Sequence, residues 1–169
     1  MSTATPFVAV LMGSDSDLPT LQGTFDMLKK LGIPFEGRVT SAHRTPEATH
    51  NYVTDADQRG CAVFICAAGL AAHLAGAVSA NTIKPVVGIP INGALDGLDA
   101  LLSTVQMPGG IPVATVAIGS AGAKNAAYLA AQIMALSDAD LASRLLQDRK
   151  DNAAAVAKKN DALQSKLNG

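Results

Sequence analysis

The sequence contains no tryptophan, and aromatic residues make up only 4% of its 169 positions. Hydrophobic residues still account for 49% of the chain, so most of its apolar surface comes from aliphatic side chains. Alanine is abundant and there are 15 glycines, and such small residues favour helices and strands that pack closely. The length is typical of one domain with a full-sized hydrophobic core.

The chain also lacks a strong net charge and a long hydrophobic run. Its formal net charge is −1 and no cluster of Lys and Arg stands out, which argues against nucleic-acid binding through a basic face. No apolar stretch approaches the roughly 20 residues that a membrane-spanning helix needs. Residues 1–6 lack the charged start and apolar centre of a signal peptide. We therefore expect a cytoplasmic protein with neither a membrane nor a nucleic-acid partner.

Cysteine is equally scarce. Cys61 and Cys66 are the only two, and their spacing matches no redox or zinc-binding motif. Cys66 lies in a strand-like run, where cysteine behaves as a small hydrophobic residue. The histidines form no H-x-x-x-H pair that would begin a metal site. We predict two structural thiols and no bound metal.

Apolar runs typical of buried strands alternate along the chain with segments that carry apolar residues at helical spacing. The predicted strands cover residues 7–12, 35–40, 62–67, 86–89 and 113–118. The predicted helices cover about 18–31, 46–59, 71–80, 98–104, 125–136 and 138–167. Right-handed β-α-β connections then give a three-layer α/β/α fold around a doubly wound parallel sheet. We predict a single domain over residues 1–169, with its core at about 7–136.

The last predicted helix, at about 138–167, is long for a small domain. Ser137 followed by Asp140 resembles a capping box at its start. Its second half is mostly Ala, Lys, Asn and Asp, with little apolar surface for its own core. Two interpretations stay open: the helix packs on a neighbouring subunit, or it is a frayed tail.

Three polar segments follow predicted strands and precede predicted helices. They are residues 13–17, 41–46 and 71–74. Open α/β sheets bind ligands at the carboxyl ends of their strands, so these segments should lie together. They contain two of the three histidines, an arginine and several hydroxyl groups. This combination predicts an enzyme that acts on a small phosphorylated molecule.

The first two segments offer phosphate contacts and a proton carrier. Ser14 and Ser16 can donate to phosphate at a helix start, and Asp17 can accept from ribose hydroxyls. Arg44 suits bidentate phosphate contact, and the adjacent histidine is the usual proton carrier near neutral pH. Ser41 can anchor a carboxylate or a hydroxyl. The alternative is structural: the serines and Asp17 are helix caps, and the histidine lies on the surface.

The third segment is small and apolar around one histidine. Gly69 and the alanines near it would let a ligand approach the backbone closely. His73, taken alone, is as well explained by a residue satisfied within the core. His50 lies in the middle of a predicted helix, and we interpret it as a surface residue. The loops at 107–112 and 119–125 are interpreted either as walls of the site or as plain connections.

The ordered segments GSDSD, SAHRTP, AAHLAG, QMPGGIPVATVAIG and AKNAA closely resemble the N5-carboxyaminoimidazole ribonucleotide mutase family of de novo purine synthesis. The resemblance covers roughly residues 7–150. It implies a flavodoxin-like fold, a homo-octamer whose C-terminal helix packs across subunits, a small nucleotide substrate, and neither metal nor organic cofactor. It also leaves open a transient hand-over of substrate from the synthetase that makes it.

The reaction of this family moves a carboxylate from nitrogen N5 to carbon 4 of an imidazole, by release and recapture of carbon dioxide. The resemblance implies that His43 is the general acid and base. It implies that Ser41 and His73 line the pocket for carboxylate and carbon dioxide. The implied substrate-binding residues are Ser14, Ser16, Asp17, Arg44 and Gly69.

Two alternatives to this function remain. A sister branch carboxylates aminoimidazole ribonucleotide with free carbon dioxide, but it tends to carry lysine at the position of Arg44 and lacks the segment around His73. The other alternative is a flavodoxin-like module that binds a nucleotide without catalysis. The chain departs from the commoner family pattern at Leu70, where many relatives have glycine and where leucine fits a left-handed backbone poorly.

Overall fold

A computed structural model describes residues 5–168 and confirms the predicted α/β/α layering. Within these residues five parallel strands form one sheet in the order β2-β1-β3-β4-β5. The order reverses at β1, and ligands of such sheets bind outside the strand ends at a reversal of this kind. The strands are β1 (Phe7–Met12), β2 (Phe35–Val39), β3 (Cys61–Ala68), β4 (Val86–Pro90) and β5 (Ala114–Thr115).

Six helices in the described part of the chain complete the outer layers. α1 and α5 cover one face of the sheet, and α2 and α3 cover the other. Gly32 and Gly60 lie just beyond the ends of α1 and α2, with φ of +67° and +95°, as expected of glycines that end helices. The helices are α1 (Leu18–Lys30), α2 (Pro46–Gln58), α3 (Leu74–Ser79), α4 (Leu98–Val105), α5 (Gly119–Met134) and α6 (Ala139–Leu167).

The central strands β1 and β3 are buried on both faces, which explains their continuous apolar sequences. Val8 and Val10 point to the layer that contains α1 and α5, whereas Ala9 and Leu11 point to the opposite layer. α5 presents alanines to the first layer, and their small size lets the helix lie close to the sheet. The fully buried alanines are Ala123, Ala126, Ala127, Ala130 and Ala131.

Two predicted elements are shorter in the structure. α3 begins at Leu74 and not at Ala71, because Leu70 has a left-handed φ of +56° and His73 occupies the N-cap position. The sequence predicts the fifth strand over 113–118, but the strand itself comprises only Ala114–Thr115. This is an edge strand, and its register with β4 covers those two residues alone.

One predicted helix start and one predicted helix cap are also wrong. α5 begins at Gly119, six residues before the predicted position, because residues 119–125 continue into the helix instead of forming a separate turn. Only glycine fits at position 122, since a Cβ there would lie 1.6 Å from the Ala117 carbonyl oxygen. The start of α6 is capped by Asp138, whose side chain accepts from Leu141 N at 2.9 Å. The hydroxyl of Ser137, predicted as the cap, donates to Met134 O instead.

α6 remains helical to Leu167, and every residue from 149 to 168 is exposed. Its 29 residues correspond to a length of about 43 Å at 1.5 Å per residue. Only the first half packs against the described body of the protein. No helix among residues 5–168 is both long and apolar enough to cross a membrane.

Asp148 connects the first half of α6 to α1 and α5 through hydrogen bonds. Its side chain is 3% exposed and accepts from Lys30 Nζ at 2.5 Å, Tyr128 Oη at 2.6 Å and Asn152 Nδ2 at 2.9 Å. The hydrogen bond from Lys30 is the main reason why the pKa of Asp148 lies below its usual 3.8, and the hydrogen bond from Tyr128 lowers it further. The charged carboxylate therefore favours the folded state.

Replacing Asp148 should destabilise the protein measurably. In Asp148→Ala the half-buried Tyr128 hydroxyl, together with Lys30 and Asn152, loses a charged acceptor, which costs about 1–3 kcal/mol. Urea unfolding of this variant and of Asp161→Ala, an exposed position on the same helix, measures the difference. The control should change by less than about 0.5 kcal/mol. Because the folded pKa is lowered, the deficit should be constant above pH 5 and shrink as the pH falls below about 4. Equal losses in both variants would contradict this role.

Candidate functional site

The carboxyl ends of the first four strands surround one pocket of about 600 Å³. A pocket of this size suits a small ligand. It gathers residues from four separate segments of the chain, three of which the sequence placed in a common site. The predicted residues that line it are Ser14, Ser16, Asp17, Ser41, His43, Arg44, Gly69 and His73.

The turn after β1 is a single 3₁₀ turn over Asp15–Asp17, capped by Ser14. Ser14 Oγ accepts from Ser16 N at 3.3 Å, and Asp17 Oδ2 accepts from Ser14 N at 3.2 Å. These two reciprocal hydrogen bonds form a capping box, so Ser14 and Asp17 do act as helix caps, as the structural interpretation of the sequence predicted. The cap also keeps the hydroxyl oxygens of Ser14 and Ser16 2.8 Å apart at the pocket wall. Burial raises the pKa of Asp17 above its usual 3.8, against the opposing effect of the hydrogen bond from Ser14.

Hydroxyl groups also shape the turn after β2. Ser41 Oγ accepts from Arg44 N at 3.1 Å, and Thr45 Oγ1 accepts from Ser41 N at 3.0 Å. Thr45 occupies the N-cap position of α2, but its hydroxyl bonds to Ser41 and not to the helix. One guanidinium nitrogen of Arg44 lies 3.4 Å from the Gly13 carbonyl oxygen. The arginine therefore reaches across to the first turn, and both segments present their donors to the same space.

His43 and His73 contact one another directly. His43 Nε2 lies 2.8 Å from His73 Nδ1, and the rings meet edge to face at an interplanar angle of 80°. A hydrogen bond between two imidazoles needs one nitrogen that carries a proton and one that accepts it. The pair therefore holds a proton between two imidazole nitrogens, inside the pocket. The sequence indicated both histidines, but nothing in it showed that two residues 30 positions apart are in contact.

The segment after β3 packs tightly against the segment after β4. Ile91 N donates to Ala68 O at 2.9 Å, and a Cβ on Gly69 would lie 3.6 Å from the Ile91 carbonyl oxygen. Leu70 adopts the left-handed conformation despite its side chain, with φ of +56°. Small and apolar groups form this wall of the pocket. They are Ala68, Gly69, Leu70, Ala71, Leu74 and Ile91.

One lining segment was missed in the sequence. Residues 91–93 follow β4 and line the pocket, with the Asn92 side chain as their polar group. A strand ended by Pro90 and followed by Asn-Gly is a recognisable signal of a fourth polar turn. The loop at 107–112, considered as a wall, does not line this pocket, and its Met107 sulfur packs against Gly76 of α3 instead.

The cysteines and the remaining histidine lie outside the pocket. Burial raises the pKa of the Cys61 thiol to about 11 and raises that of Cys66 further, so both stay protonated near neutral pH. His50 is exposed on α2, where its Nδ1 lies 2.6 Å from Asn81 Oδ1. Within residues 5–168 no three His, Cys, Asp or Glu side chains lie close enough to hold a metal ion.

Comparison with known proteins identifies the family of this chain. The family described as AIR carboxylase matches residues 7–155. This chain belongs to the AIR carboxylase family. The match includes all of the pocket and the first half of α6.

Relatives in the AIR carboxylase family share most of this chain. A Bacillus subtilis protein named N5-carboxyaminoimidazole ribonucleotide mutase is 48% identical over 159 residues, which cover 94% of this chain and 98% of that protein. A chloroplastic phosphoribosylaminoimidazole carboxylase of Vigna aconitifolia is 47% identical over 155 residues, which cover 91% of this chain and 28% of that protein. A crystal structure of Treponema denticola PurE matches this chain with a TM-score of 0.84 and 30% sequence identity. The match covers 94% of this chain and 98% of the PurE chain. These likenesses confirm the flavodoxin-like fold.

Arg44 should dominate the affinity of the pocket for phosphate. A charged hydrogen bond contributes about 1.5–3 kcal/mol, so Arg44→Ala should weaken the binding of ribose 5-phosphate by about 10- to 150-fold. Arg149→Ala on α6 removes a positive charge that does not line this pocket, and it should leave the affinity largely unchanged. Calorimetric titration of both variants measures the effect. Equal affinities in the two variants would remove Arg44 from the phosphate site.

Proposed function

We propose that this protein is a mutase that converts N5-carboxyaminoimidazole ribonucleotide to 4-carboxy-5-aminoimidazole ribonucleotide in purine biosynthesis. The observation that carries the proposal is the His43–His73 contact of 2.8 Å in the same pocket as Arg44. It combines a proton carrier with a phosphate ligand at one strand edge. The mutase name of a relative that is 48% identical over 94% of the chain supports the same reaction.

The first two turns hold the ribose phosphate of the substrate. Arg44 binds the phosphate, and the hydroxyl of Ser16 adds a donor beside it. Asp17 uses one carboxylate oxygen to cap Ser14 N, and it accepts from a ribose hydroxyl. The hydroxyl of Ser14 lies on the same wall and contacts the substrate. These contacts leave the imidazole facing the two histidines.

The first chemical step breaks the bond between N5 and the carboxylate carbon. The bonding electrons return to N5, which takes a proton from His43, and carbon dioxide is released beside the ring. His73 positions the His43 imidazole through the contact between their nitrogens and shares the proton. Proton transfer by a positioned imidazole contributes roughly 10²–10⁴-fold to a rate.

The second step forms the bond at carbon 4. The N5 lone pair makes carbon 4 nucleophilic, and carbon 4 adds to the carbon of carbon dioxide. His43, now without its proton, removes the hydrogen from carbon 4 and restores the aromatic ring. Every atom of the substrate is kept, and the protein returns to its starting protonation state.

The wall after β3 confines the carbon dioxide between the two steps. Ala68, Gly69 and Ala71 are small and offer no strong hydrogen bond to an apolar gas molecule. Exclusion of water at this wall prevents loss of carbon dioxide to the solvent. Ser41 and His73 supply the polar contacts for the carboxylate that leaves and returns.

A carboxylase that uses free carbon dioxide is the second candidate. The name of the Vigna aconitifolia relative, with 47% identity over 91% of this chain, supports it. The two reactions share a product and differ in the source of the carboxylate. An assay that varies substrate and bicarbonate independently distinguishes them.

The purified protein should form product from N5-carboxyaminoimidazole ribonucleotide at low bicarbonate. His43→Asn should lower turnover by about 10²–10⁴-fold because asparagine cannot carry the proton, while substrate affinity stays largely intact. Product from aminoimidazole ribonucleotide and bicarbonate alone would favour the carboxylase. Unchanged turnover in His43→Asn would remove this residue from its role, and substrate binding without any turnover of the wild type would favour a non-catalytic module.

We propose a cytoplasmic homo-octamer in which the second half of α6 packs on a neighbouring subunit. Three exposed apolar residues support this, because Val156, Leu163 and Leu167 recur at spacings of seven and four residues on the half of α6 that does not pack against the described chain. A transient hand-over from the synthetase would supply the substrate directly.

A further inference from the structure

The backbone at Leu70 is held in a conformation that its side chain disfavours. Leu70 and Asp96 are the non-glycine residues with positive φ among residues 5–168, at +56° and +52°. Asparagine and aspartate adopt this region more readily than bulky residues, so Leu70 is the more unusual of the two. Such a conformation persists when the surrounding contacts fix it, and it is often found at functional sites.

The contacts around Leu70 join two walls of the pocket. The backbone beside it is fixed by the hydrogen bond from Ile91 N to Ala68 O. Its Cδ2 atom lies 3.5 Å from the position that a Cβ would occupy on Gly93, so the side chain extends towards the segment after β4. Leu70 and Gly93 both line the pocket, and the Leu70 side chain therefore joins the segment after β3 to the segment after β4.

The exposure of Leu70 separates it from the other large apolar residues of the pocket. Its relative exposure is 59%, whereas Leu74 and Ile91 are 2% and 8% exposed. Leu74 and Ile91 belong to the packed core, and Leu70 lies on the outer side of the pocket wall. It has the size and position to separate the interior of the pocket from solvent.

We propose that Leu70 retains the carbon dioxide that is released during the reaction, by closing the gap between the segments after β3 and β4. This proposal rests on the proposed mutase function. Carbon dioxide that escapes after the first step leaves aminoimidazole ribonucleotide behind, with the N5 proton already supplied by His43. The reaction then partitions between 4-carboxy-5-aminoimidazole ribonucleotide and aminoimidazole ribonucleotide. Loss of the Leu70 side chain should alter this partition more than it alters the binding of substrate.

The partition is measured with unlabelled N5-carboxyaminoimidazole ribonucleotide in ¹³C-bicarbonate, with the rate of spontaneous decarboxylation subtracted. In Leu70→Ala and Leu70→Gly, the fraction released as aminoimidazole ribonucleotide should rise several-fold. The product should also carry several-fold more ¹³C, because carbon dioxide from solution enters the opened pocket. Leu70→Met keeps the bulk of the side chain and should keep the partition close to that of the wild type.

Asp96→Gly is the matched control, because it relieves a positive φ at a residue that does not line the pocket. It should leave the partition unchanged. An unaltered partition in Leu70→Ala and Leu70→Gly would overturn the role of Leu70 alone. A change that appears only with an altered native mass would also overturn it, since Leu70 would then be a subunit contact. A wild type that forms no carboxylated product overturns the mutase function and this role together.

Discussion

The parallel pairing of β1 with both β2 and β3 is the constraint on which the site depends. It places the carboxyl ends of these strands side by side, so the three polar turns that follow them share one pocket. Because β1 and β3 are buried between helical layers, the strand ends are fixed by the core and not by the loops. The 2.8 Å contact between His43 and His73 follows from this arrangement.

The turns divide their side chains between shape and chemistry. Ser14, Asp17 and Ser41 each bind a backbone N–H group of their own turn, which fixes the positions of the neighbouring side chains. Arg44 and the histidine before it are exposed in the pocket as a result. The capping interpretation and the binding interpretation of these residues are therefore compatible: the same oxygen that shapes a turn also lines the site.

The sequence was sufficient for the layers of the fold and for the residues of three turns, because apolar runs and strand-end polar groups are local signals. It was insufficient where tertiary contacts decide. Gly122 continues α5 through close contact with Ala117, and β5 is short because its pairing with β4 covers two residues. The left-handed backbone of Leu70 delays α3 to Leu74. The contact between the histidines depends on strand order, which no local pattern encodes.

The most direct test of the account is a crystal structure of His43→Asn with N5-carboxyaminoimidazole ribonucleotide bound. The phosphate should lie on Arg44, and the side chain of residue 43 should reach N5 and carbon 4 directly, at about 3 Å, or through one water molecule. The carboxylate should lie against the wall formed by residues 68–71. A substrate phosphate bound elsewhere, or a substrate imidazole ring turned away from residue 43, would contradict the proposed roles of Arg44 and His43.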